Sequence, residues 1–100
     1  MFLIRQIQIA QNVRGNGQMY KNRGPDGHRN LCGARVAAIR KARIPKLSQR
    51  GLAGLLQLQG LDVDKNAVQR IESGQRFVTD IELRALSEVL GVSSEELLGI

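Results

Sequence analysis

Four groupings of residues in this chain could carry chemistry. His28 and Cys32 stand four apart, a spacing that suits two metal ligands on a helix, but they are the only histidine and the only cysteine. A structural zinc site takes four ligands, so no metal is expected and Cys32 reads as a small apolar residue of a helix. Glu72 could act as a general base, yet no histidine, nucleophile or glycine-rich phosphate loop lies near it in sequence, so no enzyme is expected. Arg76 beside Phe77 pairs a cation with an aromatic ring. With Phe2, Tyr20 and Phe77 as the only aromatics, however, no stacking platform for single-stranded nucleic acid can be assembled. The fourth grouping is Lys65, Asn66, Gln69 and Arg70, whose side chains match base edges in the major groove of a duplex: Arg or Lys pairs with guanine, and Asn or Gln with adenine.

Those four residues can read bases only if a helix turns them to one side. Projected at about 100° per residue, the stretch from Lys65 puts Ala67, Val68 and Ile71 on an inner face. Asn66, Gln69, Arg70 and Ser73 point outward, with Lys65 near that face at the first turn. Just upstream, Ser48-Gln49-Arg50 opens another helix, and helix N-termini favour phosphate because their amides and dipole point at the anion. Phosphate contacts there would set the register while groove contacts specify sequence. Taken singly, each of these residues is most simply a solvated surface residue. Two short capped helices in series on a basic first half favour duplex DNA.

The helices themselves are marked by a recurring unit: an apolar residue, a capping residue, and an apolar residue four further on. Leu47/Ser48/Leu52, Val63/Asp64/Val68, Val78/Thr79/Leu83 and Val92/Ser93/Leu97 are four hydrophobic staples. Glu82 and Glu96, three after Thr79 and Ser93, add capping boxes. Gly74 and Gly91 supply helix ends. Cys32, Val36 and Ile39 form the apolar stripe of a first helix that Pro45 terminates. The spacing predicts five helices, near 31–43, 49–58, 65–73, 80–90 and 94–98, and an all-α domain over residues 31–100. Leu83, Leu86, Leu90, Leu97 and Leu98 are expected mainly in its core.

Residues 11–30, rich in Gly, Asn, Gln and Arg, show no apolar periodicity, so residues 1–30 are expected to form a flexible basic N-terminal arm. Met1–Ala10 could pair as a short strand. Met19 would serve equally as a start, which makes residues 1–18 an upstream extension on that reading. Lys and Arg outnumber Asp and Glu five to one over residues 1–30 and six to none over 31–60, whereas acids lead eight to four over 61–100. Such asymmetry attracts a polyanion to one face. No apolar run approaches the ~20 residues that cross a bilayer, and no signal peptide is visible, so a cytoplasmic protein without membrane contact is expected.

Gly33-Ala34-Arg35-Val36, Leu47-Ser48-Gln49, Leu52-Ala53, the run from Ala67 to Gly74, Leu90-Gly91-Val92 and Glu96-Leu97-Leu98 together resemble the lambda-repressor-like, XRE-type helix-turn-helix regulators. The resemblance implies five helices, with the second and third as the helix-turn-helix. It also implies groove contacts at Lys65, Asn66 and Arg70, phosphate contacts at Gln49 and near Arg76, and a structural role for Glu72. Two departures stand out: Gln57–Asp62 lengthens the connection between the second and third helices, and Gly51 replaces a residue that is usually glutamate. A regulator of this kind is expected to bind double-stranded DNA as a homodimer on a two-fold site, with no cofactor and no small-molecule ligand. The alternative is a helical protein-interaction module, such as the antitoxin partner of a toxin.

Overall fold

Four short polar side chains decide where helices begin in the computed structural model, which describes residues 23–100. Ser48, Asp64, Thr79 and Ser93 each sit in extended backbone and accept a hydrogen bond from the amide three residues on, at Gly51, Ala67, Glu82 and Glu96. Those caps open α2 (Gln49–Leu58), α3 (Lys65–Glu72), α4 (Asp80–Leu90) and α5 (Ser94–Leu98). Thr79 and Glu82 complete a reciprocal capping box, whereas at α5 only the Ser93 half is made.

The first helix, α1 (Gly33–Ala42), starts two residues later than the apolar spacing predicts. Leu31 is exposed rather than packed, and the Asn30 side chain accepts from the Gly33 amide at 2.7 Å, so the turn opens at Gly33. Arg43, just past the end of α1, is already extended two residues ahead of Pro45. α3 and α4 are followed by left-handed Gly74 and Gly91, where the absent Cβ makes positive φ cheap. Among the described residues there are five helices and no strand, so the fold is all-α as predicted.

All five helices contribute to one core. Cys32 and Val36, Leu52 and Leu56, Val68 and Ile71, Leu86 and Leu90, and Leu97 are all buried. Leu83 and Leu98 lie at its margin, half-buried. α2 packs chiefly on α3, and α1 packs on α3 and also meets α4 and α5. The longer α2–α3 connection closes on itself through the Leu61 amide to Leu56 O. The Gln57 side chain braces it by donating to Val63 O at 2.8 Å.

The predicted strand over 1–10, the extension over 1–18 and most of the predicted arm lie outside the described residues. The end of that arm is tied to the domain: the Arg29 amide donates to Gly74 O, and the Asn30 side chain donates to Ile71 O and Arg76 O.

Candidate nucleic-acid interface

Burial divides α3 by side. Ala67, Val68 and Ile71 are each at most 5% exposed, while Lys65, Asn66, Gln69 and Arg70 are exposed. On a helix of 3.6 residues per turn these four span an arc of about 140°. Among the described residues none of their side chains makes a hydrogen bond or ion pair, so their donors and acceptors face solvent uncommitted. The amide end of α3 is closed by its own Asp64 carboxylate, which accepts from Ala67 N at 2.8 Å. That charge disfavours phosphate there.

The start of α2 is different. Its cap is neutral: Ser48 Oγ accepts from Gly51 N at 2.9 Å, and no acid lies in the first turn. Arg50 is exposed beside it and Lys46 precedes it. The amides of Gln49 and Arg50 have no acceptor among the described residues, which leaves a basic helix end able to hold a phosphate.

Gln49 has a second attachment. Its side-chain amide donates to Glu72 Oε1 at 2.9 Å, and the same carboxylate takes two bonds from the Arg40 guanidinium, at 2.7 and 2.9 Å. Arg40 also donates to Leu47 O at 3.1 Å. The Arg40 and Glu72 side chains are only 8% and 7% exposed. Hydrogen bonding to Glu72 holds the Arg40 guanidinium more firmly protonated than usual, against the pull of burial. This buried pair joins α1 to the last residue of α3 and, through Gln49, to the first residue of α2. Three helices thus meet at one carboxylate.

Arg76 braces the turn that follows α3. Its two terminal nitrogens bind the Glu82 carboxylate at 3.1 and 2.9 Å, and one of them also donates to Phe77 O. Nε and one remaining hydrogen are left to meet an anion. Burial pushes the Glu82 carboxyl up, but the Arg76 guanidinium and the Thr79 amide together hold it below its ordinary value.

Three positions that matter here were not singled out as site residues from the sequence. Arg40 is buried four residues after Val36, on the stripe of Cys32 and Val36, and a charge on an apolar stripe is the signal that it has a partner inside. Asn30 stands three before Gly33, the spacing of a cap to the amide it satisfies. Gly33 lies so close to α3 that a Cβ there would fall 2.1 Å from Ile71 O. As for the other groupings, His28 pairs with Asp26 at 2.9 Å and Cys32 is buried in the core, where burial raises its thiol pKa. Among the described residues no cluster of three or more His, Cys, Asp or Glu could hold a metal, and no helix is long and apolar enough to cross a membrane.

No curated protein and no solved structure matches the chain. A family model described as a helix-turn-helix domain matches residues 32–98, about two thirds of the chain and the whole run from the cap of α1 to the end of α5. That match agrees with the resemblance drawn from the sequence motifs and with the observed pair α2 and α3. The chain therefore belongs to the helix-turn-helix domain family.

Proposed function

We propose that this protein binds double-stranded DNA sequence-specifically and regulates transcription, with α3 seated in the major groove. The observation that carries this is the division of α3: an apolar side held by neighbouring helices, and an outward side on which Lys65, Asn66, Gln69 and Arg70 are exposed and uncommitted. Those four contact base edges, and Ser48, Gln49 and Arg50 grip backbone phosphate at the start of α2. Arg76 contributes to the phosphate contact only through the donors that Glu82 leaves over. A protein seated this way occludes its site, which makes repression in the cytoplasm the simplest outcome. A homodimer on inverted half-sites is the expected assembly. Leu58 and Ile81, 84% and 68% exposed, supply apolar surface for it.

Selection of bound sites from a random duplex pool tests the reading directly. The expected result is a defined sequence repeated in inverted orientation about one helical turn apart. A single unrepeated half-site would refute the dimer. Arg70→Ala should cost about 1–3 kcal/mol on the selected site and relax preference at one base pair. Absence of any duplex affinity at low salt would refute the proposal and favour a protein partner, such as the toxin of a toxin–antitoxin pair.

A further inference from the structure

The loop that leads into α1 lies outside the residues matched by the family model, yet it is fastened to the end of the reading helix. It closes on itself through the Gly24 amide to His28 O at 2.7 Å and the Gly27 amide to Gly24 O at 2.9 Å. Its far end is pinned by the Arg29 amide to Gly74 O at 2.8 Å and by Asn30 to Ile71 O and Arg76 O. The His28 ring lies so closely on Gly74 that a Cβ there would come within 2.6 Å of it. Gly74, with φ of 77°, is the residue at which the chain turns away from α3.

Between this loop and the end of α3 is a cleft of about 410 Å³ whose charged walls are Arg23, Arg29 and Arg70, with Ser73 and Gln75 beside them. No carboxylate lines it. Asp26, the one acid of the loop, lines the adjacent cavity with Asn30 and Arg35, and is paired with His28. Among the described residues none of the three arginines meets a carboxylate within hydrogen-bonding or ion-pairing distance. The Arg29 guanidinium is steadied instead over the Phe77 ring, 5.8 Å from its centre.

Two of the carbonyls at the end of α3, which would repel an anion, are covered: Ile71 O by Asn30 and by the Gly74 amide, and Arg70 O by the Gln75 amide. Three arginines line the cleft and no carboxylate does, so a bound anion would meet a positive field that no acid of the cleft offsets.

From this geometry we infer that the 23–29 loop and the end of α3 form a second phosphate-binding cleft, which takes the DNA backbone flanking the base pairs that α3 reads. The inference rests on the duplex reading above and extends the footprint of the protein past the helix-turn-helix. Arg70, shared between the outward face of α3 and the cleft, sits where base contact gives way to backbone contact. The anchors of the loop are backbone amides and the Asn30 side chain, so replacing Arg23 and Arg29 leaves them in place.

The test is the salt dependence of binding by the full chain to a selected duplex. Each phosphate contact contributes about 0.9 to the slope of log K against log salt, so Arg23→Ala with Arg29→Ala should reduce the slope by about 2 while base preference is retained. Replacing both by lysine, which keeps the charges, should preserve most of the slope. An unchanged slope in the double alanine variant overturns the second cleft and leaves the duplex reading standing. Loss of base preference along with the slope also overturns it, because it assigns these arginines to base reading. Absence of duplex affinity in the unsubstituted chain overturns both readings together.

Discussion

Glu72→Gln is the substitution from which the structure predicts most. Glutamine keeps the size of the side chain but removes its charge and turns an NH2 toward donors. Arg40 would lose its counter-ion and at least one of the bonds now at 2.7 and 2.9 Å: its Nε bond if the new NH2 stands in place of Oε2, or its terminal-nitrogen bond together with the bond from Gln49 if it stands in place of Oε1. With both charged side chains more than nine-tenths buried, a guanidinium would be left largely out of water without a partner. Breaking a buried pair in this way costs about 3–5 kcal/mol. A small domain has only about 5–15 kcal/mol of stability in total. At a typical urea dependence of about 2 kcal/mol per molar, the midpoint should fall by roughly 2 M.

Urea unfolding followed by circular dichroism measures this shift. Arg40→Met should cost a similar amount. The double variant Arg40→Met with Glu72→Leu should recover to within about 1–2 kcal/mol of the original, because no buried charge is left unpaired. A loss below about 1 kcal/mol for Glu72→Gln would refute the reasoning. So would a double variant no more stable than Arg40→Met alone, since removing the second charge would then have relieved nothing.

Gly33→Ala should destabilise by about 1–3 kcal/mol in thermal unfolding, because the new Cβ falls on the Ile71 carbonyl and presses on Asn30 Oδ1 at 2.9 Å. A loss under ~0.5 kcal/mol would show that α1 and α3 can part without cost. Glu82 makes a pH prediction whose sign follows from its lowered pKa. Its contribution is fully present above the ordinary glutamate value of about 4.3 and is lost as pH falls through the lower folded value. The stability gap between the unsubstituted protein and Glu82→Gln should therefore be constant from roughly pH 5 to 8 and narrow below about pH 4. A gap that widens toward acid would contradict the pairing with Arg76.

Helix starts were legible in the sequence because capping is local: Ser48, Asp64, Thr79 and Ser93 each reach an amide three residues away, and the following backbone settles the geometry. The outward face of α3 was legible for the same reason, since 3.6-residue periodicity alone separates Ala67, Val68 and Ile71 from Asn66, Gln69 and Arg70. What local spacing could not supply is which polar side chains are already committed. Arg40 and Arg70 are the same residue type on neighbouring helices. One is buried against Glu72, 32 positions away, and the other is exposed with no partner among the described residues. Gln49 is tied to the same carboxylate across 23 positions, and Asn30 spans 41 and 46 positions to the two carbonyls it covers. Chain composition and periodicity thus determined the five helices and the face that α3 turns outward. Tertiary structure alone decided which charges meet one another and which stay exposed without a partner among the described residues. An ion pair depends on distances set by packing between helices, and those distances are not written into the spacing along any one of them.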